Sequence, residues 1–73
     1  EKVLLIKDVM DQSTSDNLGD LRVSKDEVIE NVAEKILTQE KTVGVIDQNN
    51  KIIGSIDSTK IINTVFGGRK NGN

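Results

Sequence analysis

Asp57 and Lys60 stand three residues apart at the start of a helix-spaced apolar run, which puts both on the first turn of a helix. A lysine placed there can reach a phosphate, because a helix N-terminus already favours an anion. The same pair also fits a simpler arrangement, with Asp57 as N-cap and Lys60 a solvated residue bridged to it at i, i+3. Gly67-Gly68-Arg69-Lys70 offers a second phosphate-like feature. It follows a helical run instead of opening one, so it reads as a C-cap and a loose polar tail. Asp11, Asp16 and Asp20 share one polar stretch. They lack the alternate-residue ligands and closing glutamate of a calcium loop, and read as solvated acids. Cysteine and histidine are absent. That excludes a thiol nucleophile, a Ser-His or Cys-His pair and a zinc site built on nitrogen and sulfur. No Gly-x-x-x-x-Gly-Lys-(Ser/Thr) loop occurs either, so these residues are expected to form a non-catalytic fragment with no metal.

With so little reactive chemistry, size becomes informative. The chain has 73 residues, 34% of them hydrophobic, with nine isoleucines, eight valines and Phe66 as the sole aromatic. That apolar content is sufficient for folding. Yet a chain this short buries only about 60% of its unfolded surface, and small domains usually add a disulfide, a metal or a partner. Without Cys or His, a partner is the expected remedy. The net charge is −2 but unevenly placed: residues 1–40 hold five Lys/Arg against ten Asp/Glu, and residues 41–73 hold five against two. Such a division is ordinary for a surface, and it also describes a two-signed molecule whose contacts weaken as salt rises. No basic stripe interleaves with aromatics, so nucleic acid is not expected as a partner. The longest apolar run, residues 3–6, is far short of the roughly 20 residues of a membrane span. No signal-peptide pattern opens the chain, and zero cysteine fits a reducing compartment. A cytoplasmic piece of a longer protein is expected.

The elements that must position these residues follow from periodicity. Residues 1–10 are an N-terminal apolar opening segment, either a short strand or a helical turn, with Met10 a core filler. Residues 11–20 are rich in turn formers and read as a loop. Leu21-Arg22-Val23 alternates as a short strand does. Ser24 and Glu27 form a capping box, with Val23 and Val28 as its hydrophobic staple. Val28, Ile29, Val32, Ala33, Ile36 and Leu37 then lay one apolar stripe along a helix expected over residues 25–39. Residues 42–46 are β-branched and read as a strand. Asp47-Gln48-Asn49-Asn50 is a turn in which asparagine tolerates the left-handed conformation. Residues 51–56 return as the second strand of a hairpin, with Gly54 admitting a helix close to the strand. Ile61, Ile62, Val65 and Phe66 repeat the helical stripe after Asp57 or Ser58, either of which can cap it. Gly67-Gly68 ends the helix, leaving residues 67–73 as a tail.

That order, carried by these residues, resembles a single cystathionine-β-synthase (CBS) repeat. Ile6-Lys7-Asp8-Val9-Met10 resembles the family's opening V-x-D-(I/V)-M, and residues 28–46 match its first helix through second strand without a gap. Residues 45–56 resemble the hairpin V-V-D-x-x-G-x-(L/I)-(V/I)-G-(I/V)-(I/V). The likeness runs over residues 3–66, with the repeat proper at 11–66. It departs in a longer loop before the first strand, in Gly44 where proline is common, and in Asn50 where glycine is common. The resemblance implies an α+β fold: a β-α-β-β-α repeat in which two helices pack a small three-stranded sheet that pairs with a second repeat. Residues 54–66 and the polar tail also resemble the end of ATP-binding subunits of glycine betaine/proline (osmoprotectant) ABC importers, which carry CBS repeats after the ATPase domain.

Several expectations come with that resemblance. Nucleotide-binding repeats carry G-x-x-(T/S)-x-x-D from the third strand into the second helix; aligned from Gly54, this chain places Asp57 at the hydroxyl position and Lys60 at the carboxylate position. An aspartate repels phosphate and lysine has no acceptor for a ribose hydroxyl. Adenosine nucleotide is therefore a demoted ligand, with Val23, Gly44, Val45, Asp57 and Lys60 as its candidate residues and no cofactor otherwise expected. Pairing, as a homodimer or with a second repeat, is expected through Val32, Ile36, Ile61, Ile62, Val65 and Phe66. The function implied is regulation of an osmoprotectant importer at the inner face of the membrane, through ionic-strength-dependent contacts with its ATPase domain and permease subunit. The alternatives are an adenosine-nucleotide sensor in another protein and a purely structural dimerisation module.

Overall fold

A computed structural model describes residues 3–14 and 16–66. Six elements follow in order: α1 (Ile6–Val9), β1 (Leu18–Ser24), α2 (Ile29–Leu37), β2 (Thr42–Ile46), β3 (Ile52–Ile56) and α3 (Ser58–Val65). Behind the single turn of α1 this is the expected β-α-β-β-α order. β2 lies at the centre of the sheet, parallel to β1 and antiparallel to β3. The parallel pair needs a crossover, which α2 supplies, whereas β2 and β3 need only a tight turn. The result is a small α+β unit consistent with a single CBS-like repeat.

Strand alternation decides where the core lies. Val43 and Val45 share one face of β2, and their register partners Ile56 on β3 and Val23 on β1 share it too. Ile29, Val32 and Ile36 of α2, Ile61 of α3 and Ile6 of α1 complete one aliphatic core with these four. The β2–β3 turn is held by the Asp47 carboxylate, whose Oδ1 accepts from the N–H groups of Asn49 (2.8 Å) and Lys51 (3.0 Å). Asn50 sits at φ 65°, the left-handed conformation expected of an asparagine here.

Four expectations are corrected. Ser24 does not cap α2: it ends β1, and its Oγ accepts from the Asp26 N–H at 3.2 Å inside a turn. The helix starts at Ile29, because the backbone of residues 25–29 is hydrogen-bonded instead to the opening segment. The N–H groups of Ile6 and Lys7 donate to the Glu27 and Lys25 carbonyls, each at 2.9 Å, and that of Ile29 donates to the Leu4 carbonyl at 3.0 Å. Second, the strand expected at residues 21–23 extends back to Leu18, shortening the preceding loop. It bulges on the way: Leu18 pairs with Thr42 and Arg22 with Gly44, so β1 spends two more residues than β2 over this span. Third, Leu37 closes the apolar stripe of α2 but faces solvent. Fourth, what Gly54 admits most closely is the chain leaving α1, Met10 and Asp11, and not the body of a helix. A Cβ there would strike the Asp11 carbonyl oxygen and come within 2.9 Å of Met10 Sδ, so the glycine lets the opening segment pass. The Gly67-Gly68 stop and the tail lie outside the described residues.

Candidate functional site

Asp57 takes the simpler of its two roles. It is the N-cap of α3 in extended conformation, and its Oδ1 accepts from the Lys60 backbone N–H at 2.9 Å. This carboxylate is engaged with the first turn of the helix. Val23 and Val45 are register partners whose side chains are enclosed in the core, so neither can line a ligand cavity with its side chain. Gly44 lies on the opposite face of β2, between Arg22 and Ser55. The stem of Arg22 crosses it closely enough that a Cβ on Gly44 would sit 3.0 Å from Arg22 Cδ. The Arg22 guanidinium turns back along its own strand, donating to the carbonyls of Gly19 (2.6 Å) and Leu21 (3.1 Å). It thereby ties down the β1 bulge.

Two hollows lie apart from the five residues expected around a nucleotide. One groove of about 220 Å³ runs between Leu4, Ile29, Glu30, Thr64 and Val65. A polar hollow of about 430 Å³ lies between the β1 bulge and residues 38–41, with Asp20, Glu40 and Lys41 on its walls. Neither contains Val23, Gly44, Val45, Asp57 or Lys60. Among the described residues no group of three or more Asp or Glu side chains is arranged to hold a metal.

The expected pairing residues divide by burial. Val32, Ile36 and Ile61 are enclosed in this chain's own core and are not available to a partner. Ile62, Val65 and Phe66 are 46, 47 and 63% exposed, so α3 presents an apolar outer ridge ending on the sole aromatic. Val3 and Leu4, 58 and 39% exposed, add to this apolar surface from the opening segment. Sequence reasoning missed these two. Their run with Leu5 and Ile6 shows no period, and only the docking of Ile6 into the core decides which members face out. Thr64 and Val65 of α3 meet Leu4 and Ile29 in the groove, so the ridge and the opening segment form neighbouring parts of one surface.

Electrostatics concentrate at the β1–α2 turn. Asp26 lies 3.1 Å from Lys25 Nζ and 3.5 Å from Lys7 Nζ; the Asp26 and Lys7 side chains are about half exposed and that of Lys25 is mostly covered. The hydrogen bond from Lys25, with the charge of Lys7 behind it, holds the Asp26 carboxyl below the usual aspartate value. Asp47 is also lowered, chiefly by the Lys51 backbone N–H and then by that of Asn49.

Comparison with known proteins adds a relative. The chain is similar to the trimethylamine N-oxide transport system ATP-binding protein TmoW of Pelagibacter ubique, 61% identical over 69 residues. The match takes in 94% of this chain and 20% of that protein. The likeness is to part of a transport ATP-binding protein. This chain spans about a fifth of the length of that curated relative. No family model matches the chain. No solved structure matches it either. Among the described residues no helix is long and apolar enough to cross a membrane.

Proposed function

We propose that this chain is a regulatory CBS module in the ATP-binding subunit of an ABC importer for small osmoprotectants of the glycine betaine and proline class. The observation that carries this reading is the 61% identity to a transport ATP-binding protein over 94% of the chain. The α+β repeat and the lack of nucleotide-hydrolysing motifs within these residues support a role beside the ATPase chemistry. The relative's cargo fits the same class: trimethylamine N-oxide and glycine betaine both join a trimethylated nitrogen to an anionic oxygen.

In this reading the module pairs with a second repeat or a second copy through Ile62, Val65 and Phe66 and works at the inner face of the membrane. Ionic strength is the signal. The exposed charges of the acidic first half and basic second half exchange contacts with the ATPase domain, the permease subunit or the paired repeat as salt changes. The test is uptake of glycine betaine, proline and trimethylamine N-oxide by the complete transporter in proteoliposomes. Internal salt is varied while osmolality is held constant with a neutral solute. Uptake of at least one of these solutes that shifts with salt, and no longer does so when this module is deleted, is the expected result. Uptake indifferent to salt overturns the regulatory mechanism, and uptake of none of the three overturns the substrate class.

A further inference from the structure

Residues 3–11 join two parts of the fold that lie far apart in sequence. At one end, Leu4, Ile6 and Lys7 make three backbone hydrogen bonds to residues 25–29, and Leu5 bridges Val28. At the other, Asp11 and Ser55 exchange both backbone hydrogen bonds, 2.8 and 2.9 Å, along β3. Between them Ile6 is fully enclosed in the core. α2 depends on this segment for its first turn: its N-cap, Val28, makes no side-chain cap bond, and the Ile29 N–H is taken by the Leu4 carbonyl. The side-chain ion pair joining the segment to the β1–α2 turn is Lys7–Asp26, with side chains 47 and 55% exposed.

We propose that residues 3–11 are a strap that opens as one unit while the sheet stays folded, and that salt eases its opening by screening Lys7–Asp26. Local opening of contiguous units is a general property of folded chains; this contiguous segment enters the core through Ile6, with Val9 and Met10 packed against it, and is hydrogen-bonded to the rest of the fold at its two ends. The ion pair is exposed, so the Debye length, about 30 Å at 0.01 M salt and about 3 Å at 1 M, governs its strength directly. Opening frees the Ile29 N–H, empties the Ile6 socket and uncovers β3 at Ser55. A change in ionic strength thereby becomes a change in the shape of the module. This rests on the reading that ionic strength is the signal, and names the element on which it acts.

The experiment is amide hydrogen exchange on the full chain at low and high salt. The amides of Ile6, Lys7, Asp11, Ile29 and Ser55 report the strap, and those of the central β2–β3 pair report global unfolding. The strap amides are expected to exchange together, faster than the sheet amides. Relative to the sheet, raising salt is expected to speed them about twofold to fivefold, the scale of an exposed ion pair. Lys7→Gln and Asp26→Asn are each expected to show the faster exchange already at low salt and to lose most of the salt response, and the double variant to go no further. Strap amides that exchange at the sheet's rate overturn the opening unit. Strap amides that open together but ignore salt, or variants that keep the full response, overturn the latch. These failures are separate from that of the function proposed above, which is read from transport.

Discussion

At Gly54 a single hydrogen separates the β3 backbone from the Asp11 carbonyl, and the neighbouring contact is to Met10. At Gly44 the nearest atoms are Cδ, Nε and Cζ of Arg22, the far end of a flexible side chain that need give only by a few tenths of an ångström. Gly54→Ala is therefore expected to cost about 1–3 kcal/mol, as overpacking against backbone does, and Gly44→Ala less than about 1 kcal/mol. Urea denaturation of the two variants tests the difference, and equal losses would refute this account of Gly54. A second expectation concerns Asp47, whose folded pKa lies below its ordinary 3.8. A group lowered on folding stabilises fully above its unfolded value, and that stabilisation is lost as pH falls through the folded one. The melting temperature should therefore decline as pH drops below about 4, with Asp26 contributing over the same window. Asp47→Asn should flatten that decline, as followed by thermal melts across the acid range. Asp57 was legible from sequence alone, because a cap is a local device. The roles of Gly54 and Arg22 were not, because each depends on which remote segment lies against it.

Among the elements, local and remote signals compete openly at the start of α2. Ser24 and Glu27 have the spacing of a capping box, yet the opening segment claims the backbone between them and delays the helix to Ile29. Ser24→Ala should accordingly cost well under the roughly 1 kcal/mol of a lost N-cap, whereas Asp57→Ala at the true cap of α3 should cost about that much. Ile6→Ala should cost more than either, about 2–5 kcal/mol, because it empties a fully buried position. Equilibrium denaturation orders the three, and a Ser24 loss matching that of Asp57 would restore the capping box. β2, the Asp47–Asn50 turn and α3 were readable in advance because their β-branched alternation, turn residues and helical stripe agree with one another. The β1 bulge was not, since two extra residues in a parallel pairing leave no mark on the pattern of the strand itself.

For the molecule as a whole, the outer ridge of α3 and the neighbouring Val3 and Leu4 form the exposed apolar surface on which the proposed pairing rests. Phe66→Glu is expected to abolish self-association measured by sedimentation velocity while leaving the core intact, since Phe66 is 63% exposed. An unchanged oligomer would remove this ridge from the interface. Adenosine, AMP and ATP are expected to leave the melting temperature unchanged, because a ligand that binds the folded state must raise it. The fold class and the existence of α3 could be read from the sequence. The division of the six expected pairing residues into core and surface could not, because a helical stripe shows which residues share a face and not how much of that face one chain already covers. The fastening of residues 3–11 also bears on how the chain reaches this shape. Ser55 Oγ donates to the Ser13 carbonyl across 42 residues of sequence, beside the Asp11 bridge, so this closure must bring together nearly opposite ends of the described chain. Loop closure over such distances slows folding, whereas the β2–β3 hairpin closes over a few residues. During synthesis the opening segment is made well before β3 and finds that partner only after the residues between them have followed, so an early-made segment is among the last to be secured.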